Sequence, residues 1–183
     1  MGGVARDGSS GAGNVNMGRS YWLKSVGAAA ARVLTRSNRA KPRAYQDGVD
    51  AFEAGDYATT LRLWRLLADQ GNATAQFNLG VLYANGLAVS RDDAEAAGWY
   101  QLAADQGVGN AQFNLGYMYQ FGEGVSQDHV AARIWYTIAA SRLQAGEDRE
   151  YAVGNRGVLE RSLNASQVAE AQRLAEDWRL PGV

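Results

Sequence analysis

The chain contains no cysteine, which excludes a disulfide framework, a thiol nucleophile, an iron–sulfur cluster and a thiolate zinc site. Its single histidine, His129, excludes a multi-histidine metal centre. Proline stands only at Pro42 and Pro181, so no proline interrupts a helix between them. No apolar run approaches the roughly 20 residues that span a bilayer. What remains is 183 residues, 46% of them hydrophobic. That is enough for one domain with a core of its own or for a short repeat array.

Acids are scarce at one end. Residues 1–43 hold eight basic side chains (Arg6, Arg19, Lys24, Arg32, Arg36, Arg39, Lys41, Arg43) and one acid, Asp7, for a charge of +7. Residues 44–183 sum to −8. A basic arm and an acidic body point to two jobs in one chain. Residues 1–20 are rich in Gly, Ser and Asn, with too little apolar surface to offset their ordering entropy, and are expected to be disordered. Met1 and Met17 are alternative starts. Residues 21–36 (YWLKSVGAAAARVLTR) form a short candidate helix, with Leu23, Val26, Ala30 and Val33 at helical spacing. Arg32 interrupts the apolar stretch and no small-x-small cleavage site follows, which counts against a secretory signal. An Arg-rich, acid-poor presequence fits better; a solvated basic helix and a capping helix docked on the body are the alternatives. With no convincing export signal, the cytoplasm is expected ahead of the periplasm or the mitochondrion.

Beyond residue 43 the text repeats. DQGNATAQFNLGVLYANGLAVSRD (69–92) is followed 36 residues later by DQGVGNAQFNLGYMYQFGEGVSQD (105–128). The identities continue through Ala96/Ala132, Trp99/Trp135, Tyr100/Tyr136 and Ala103/Ala139, far beyond chance. Each unit reads as two helices. Ala75, Leu79, Leu82 and Tyr83 make one apolar stripe, and Asn85-Gly86 ends that helix, glycine tolerating a left-handed cap. Ser90 and Asp92 offer acceptors to the next helix start, and Gln106-Gly107 closes it. Ala96, Trp99 and Ala103 stripe the second helix, and Trp99 and Trp135 are expected to be equivalent buried anchors. An αα-hairpin of this kind leaves an apolar face for the next hairpin to bury.

These residues resemble the Sel1-like repeat family. Its pattern, A-x-x-x-L-G-x-x-Y-x-x-G-x-x-V-x-x-D followed by A-x-x-W-Y-x-x-A-A-x-x-G, runs from Ala75 to Gly107 and again from Ala111. Ala88 departs from it, standing where Gly124 keeps the second loop glycine, and implies a tighter or shifted loop. The resemblance covers about residues 44–180 and implies an all-α, right-handed solenoid of about four tetratricopeptide-like hairpins. These are expected at about 44–70, 73–106, 109–144 and 147–179. It also implies a non-enzymatic adaptor whose concave face binds a protein partner. A hydrolase of cell-wall or β-lactam-like substrates is the alternative drawn from cysteine-rich relatives, whose cysteines this chain lacks. An accessory subunit targeted by the basic arm is another.

No recurring serine–histidine–acid set, phosphate loop or metal cluster stands out, so no catalytic, cofactor or metal residues are expected. His129 takes the place of Asp93 one repeat earlier and reads as surface structure. Asn164 with Gln167 has the form of an N-terminal capping box. The acidic body argues against nucleic acid. The expected partner is therefore a protein, met by a monomer. Its expected contacts are Phe77, Val81, Phe113, Tyr117 and Gln120, a second stripe about 200° around the first helices from Leu79 and Leu115. That stripe is expected to face away from each hairpin's own core.

Overall fold

A computed structural model of the chain describes residues 43–179. The basic arm and its candidate helix at 21–36 lie outside the described residues. Among the described residues there are eight helices and no strand. They are α1 (Arg43–Glu53), α2 (Tyr57–Asp69), α3 (Ala73–Asn85), α4 (Asp93–Asp105), α5 (Gly109–Phe121), α6 (His129–Arg142), α7 (Glu147–Glu160) and α8 (Ala165–Arg179).

The starts and stops follow from single residues. Asp56, Asn72, Asp92 and Asp128 cap α2, α3, α4 and α6, each side chain accepting from a backbone N–H of the first turn. Asn164 and Gln167 close the expected capping box on α8, with bonds of 3.0 and 2.9 Å. Gly86 and Gly122 end α3 and α5 in the left-handed conformation, at φ 67° and 71°. Ala88 keeps φ +65° where Gly124 has +69°, so the loop holds its shape and is not shifted. The reason lies in what each loop meets. A Cβ on Gly124 would collide with the backbone of Asp93, whereas Ala88 is exposed.

Hairpins α1/α2, α3/α4 and α5/α6 share one internal joint. A glycine on the first helix lies against a ring on the second: Gly48 against Trp64, Gly80 against Tyr100, Gly116 against Tyr136. A Cβ at these glycines would stand 2.5, 2.5 and 2.8 Å from ring atoms. The missing side chains let the helix axes close. Three residues earlier on each first helix, Tyr45, Phe77 and Phe113 pack on the same rings at centroid distances of 6.2, 5.8 and 5.6 Å. Between hairpins the joint is polar as well as apolar. Gln76 donates to the Ala68 carbonyl at 3.1 Å, and Gln112 to the Ala104 carbonyl at 3.0 Å. Each adds a side-chain donor to a carbonyl at the end of the preceding second helix that also accepts the backbone N–H of Gly71 or Gly107 at 2.9 Å.

Two expectations about packing are corrected here. Ala75, Leu79 and Leu82 join the core of the preceding hairpin, with Trp64 and Leu67. Phe77 and Val81 instead face their own second helix and the next hairpin, in one cluster with Tyr100, Leu115 and Met118. The buried ring of each second helix is Tyr100 or Tyr136, while Trp99 and Trp135 are only half-buried. Those adjacent positions point about 100° apart, and the glycine opposite selects the tyrosine.

After α6 the pattern breaks. Helix α7 packs on α6, where buried Arg133 donates to Glu160 at 2.8 Å. Helix α8 does not close a fourth hairpin with α7. It packs on α6, with Trp178 edge-on to Trp135 at 6.0 Å and under the Arg142 guanidinium at 5.8 Å.

Candidate protein-interaction surface

First helices are poor places for a partner. Phe77, Val81, Phe113 and Tyr117 are at most 4% exposed, so the stripe expected to bind is spent on packing and offers no area. Tyr117 lies in the cluster around Tyr100 and meets the Phe121 ring at a tilt, with centroids 4.6 Å apart. Gln120 is half-buried; its side-chain oxygen accepts from the Tyr136 hydroxyl at 2.9 Å and its carbonyl accepts from Gln127. The physical reason is that α3 and α5 are buried on nearly every side, as helices of a middle layer are, with Gln76, Asn78, Gln112 and Asn114 buried beside the apolar residues.

The second helices keep one face outward. Residues 36 apart on α2, α4 and α6 are Leu63/Trp99/Trp135, then Leu66/Leu102/Ile138, then Gln70/Gln106/Arg142. Steps of three and four residues set each trio on one face of its helix. The middle position separates the repeats: Leu66 is 54% exposed, Leu102 47% and Ile138 0%. Helix α8 accounts for the difference. Ala171 and Ala175, one turn apart, are buried, and Trp178 touches both Trp135 and Arg142 on either side of Ile138. Among the described residues, the same face of α2 and α4 carries no such cover.

Around Trp99 the open face is organised by charge. Arg65 lies 5.2 Å from the Trp99 ring and 5.9 Å from that of Tyr83, and donates to the Tyr83 hydroxyl at 2.8 Å. Glu95 accepts from the indole N–H of Trp99 at 3.0 Å and stands 3.9 Å from Arg65. A ring, a cation and an anion are thereby held in fixed places beside Leu102. An aromatic held in this way has little side-chain entropy to lose when another molecule covers it. Sequence reasoning missed Leu66 and Leu102. Their alignment with Ile138, one position before each buried Leu67, Ala103 and Ala139, was the available signal.

The lone histidine lines a cleft of about 360 Å³ with Gln127, Asp128, Ser162, Leu163 and Gln167. Two of its polar side chains are engaged in helix ends. The Asp128 carboxylate accepts from the backbone of Val130 and Ala131, and the Ser162 hydroxyl donates to the Leu159 carbonyl. The strongest ionisation shifts belong to core phenols. Burial pushes Tyr45 up to about 12 and moves Tyr100 and Tyr136 well above the usual range. No helix among the described residues is long and apolar enough to cross a membrane.

The Sel1 repeat model matches residues 39–72, 73–108 and 109–142, one match per hairpin. A protective antigen of uropathogenic Escherichia coli, c5321, with an SLR fold, superposes with a TM-score of 0.66 at 30% identity. The match covers 74% of this chain and 29% of that one. A Sel1 repeat protein from Oxalobacter formigenes gives a TM-score of 0.58 at 31% identity, over 73% of this chain and 55% of that one. The chain thus spans well under two thirds of either neighbour's length. No curated protein matches it. Sel1 repeat proteins are commonly interaction scaffolds and are generally not enzymes. With three consecutive matches over more than half of its length, each on a folded helical hairpin, this chain belongs to the Sel1 repeat family.

Proposed function

We propose that the protein is a non-enzymatic adaptor that captures a helical segment of a partner protein on the outer face of α4, centred on Trp99 and Leu102. One observation carries this reading: the chain itself lays a helix, α8, on the matching face of α6. That internal helix also defines the chemistry of the ligand. Small residues at i and i+4, as at Ala171 and Ala175, let it approach closely, and a tryptophan at one end, as at Trp178, meets the indole of the second helix. Arg65 and Glu95 flank the α4 site and select the charge on the ligand's rim. The repeats are stacked before the partner arrives, which lowers the ordering cost of binding.

The test uses a synthetic peptide of residues 165–179 as the probe. It is titrated against the full chain by fluorescence anisotropy, with the peptide carrying Trp178→Ala as its comparison. Saturable binding that weakens about tenfold or more without the tryptophan supports the reading, a loss on the scale of one hot-spot residue. No binding, or equal binding of both peptides, overturns it.

A further inference from the structure

We infer that two copies of the chain pair through the outward face of α7, antiparallel about a two-fold axis at Gly154. The face lies at the end of the helical stack. Helices α3 and α5 are the first helices of their hairpins and are buried on both sides. Helix α7 is buried on one. Its Ala152 and Leu159 join the core cluster of α6, and α8 packs on α6 instead of closing a hairpin over α7. Among the described residues, no helix covers the opposite side of α7.

That side is apolar at its centre. Tyr151 and Val158 are 42% and 46% exposed and stand seven residues apart, on one face of the helix. Gly154 lies between them and Gly157 beside them. A Cβ on either glycine would meet nothing within 4 Å. Inside the hairpins, Gly80 and Gly116 make room for the ring of a facing tyrosine. On α7 the same kind of room stands open, next to an exposed tyrosine. Each glycine inside a helix also costs about 1 kcal/mol against alanine, which close packing on a neighbour offsets.

The surface that fits this face is the same face inverted. Glu147, Glu150, Gly154, Gly157 and Arg161 follow one another at steps of three and four, so they form one stripe. With the helices antiparallel and Gly154 against itself, Tyr151 of each copy comes opposite Gly157 of the other. The ring then enters the gap that the glycine leaves, as Tyr136 does at Gly116. The ends match in charge. Glu147 and Glu150 are exposed in the first turn, and Arg161 is exposed just past the last. Arg161 donates to the Gly157 carbonyl at 3.3 Å, which lays its side chain along this stripe. Antiparallel pairing sets Arg161 opposite Glu147 of the other copy, with Glu150 one turn away, and two-fold symmetry makes the contact twice. A parallel pair would set acid on acid and arginine on arginine. Charge therefore selects the antiparallel arrangement, and it fixes orientation more than affinity.

One helix from each copy makes an interface below standard size, so a dissociation constant of about 1–100 µM is expected in place of the monomer expected from the sequence alone. Sedimentation of the full chain over a concentration series tests this directly. Val158→Asp sets a charge in the apolar centre and is expected to weaken the dimer about tenfold or more, with helical content unchanged because Val158 is exposed. The absence of cysteine allows the axis to be read by disulfide trapping. Gly154→Cys is expected to give a covalent dimer in most molecules under mild oxidation, its two Cα atoms meeting at the axis within disulfide reach. Val153→Cys, comparably exposed but about 100° around the helix, is expected to give little. A monomer up to about 1 mM overturns the inference. So does a dimer that Val158→Asp leaves intact, or equal linking through the two cysteines. Preferential linking through Leu102→Cys overturns it as well, moving the contact between copies to α4. The peptide titration reads α4 and this dimer uses α7, so the two proposals fail separately.

Discussion

Helices α4 and α6 are repeat mates with the same Trp-Tyr pair, yet among the described residues no helix covers the outer face of α4, while α8 lies on that of α6. Their inward faces behave alike: Tyr100 and Tyr136 each fill the gap left by a glycine and lie against a phenylalanine. On the outer side Trp99 meets Arg65 and Glu95, whereas Trp135 meets Trp178. The repeat motif therefore encodes the joint inside the hairpin, and its outward face is a seat that the chain fills or leaves open. Where sequence identity between repeats is densest, the residues are structural.

The comparison breaks first at the inward rings. Tyr100→Ala or Tyr136→Ala is expected to cost about 3–5 kcal/mol, the range for a buried aromatic. Trp99→Ala is expected to cost about 1–2 kcal/mol, because its ring is half-exposed and loses mainly the Arg65 contact. Equal losses at Tyr100 and Trp99 in denaturant unfolding contradict the assignment of the anchor.

Alkaline pH is the next largest effect. The Tyr45 phenol ionises near 10 when unfolded and near 12 when folded. The unfolded chain then loses its proton first, so stability is full below pH 10 and declines as pH rises toward 12. A shift of that size is worth about 2–3 kcal/mol. Tyr100 and Tyr136, raised by burial in the same way, extend the decline beyond it. Melting temperatures that hold constant from pH 9 to 12 contradict this.

Overpacking the joint ranks third. Gly116→Ala drives a methyl into the Tyr136 ring and is expected to cost about 1–3 kcal/mol. Gly98→Ala, at an outward position of α4 with nothing within 4 Å, is expected to stabilise slightly through helix propensity. If both substitutions shift the melting temperature alike, the inside-outside distinction fails. The smallest effect falls at the loop. Ala88→Gly relieves a left-handed alanine and is expected to add up to about 1 kcal/mol, while Gly124→Ala destabilises because Asp93 blocks the Cβ.

Much of this architecture was legible in the residues. The 36-residue offset, the cap at Asp92 and the box at Asn164 and Gln167 are local signals, and they hold in three dimensions. Facing was not legible. Phe77 and Leu79 lie on opposite sides of a helix buried on both, so periodicity cannot say which side meets its own hairpin. The choice between Trp99 and Tyr100 rested on Gly80, a residue without a side chain whose meaning appears only across the joint. The seat of α8 was hidden for a similar reason. It depends on α6 having an apolar outer face, and the same face is equally apolar on α2 and α4, where no described helix covers it.

The central claim is that a partner helix is read by the outer face of the second helices and not by the first. The direct measurement is the affinity of the 165–179 peptide for two folded variants of the full chain, Leu102→Asp and Gln120→Ala. The account predicts a loss of about tenfold or more for Leu102→Asp and no change for Gln120→Ala, the scale expected of a charge placed in an apolar contact. Undiminished affinity in the Leu102→Asp variant, or a loss confined to Gln120→Ala, would contradict it.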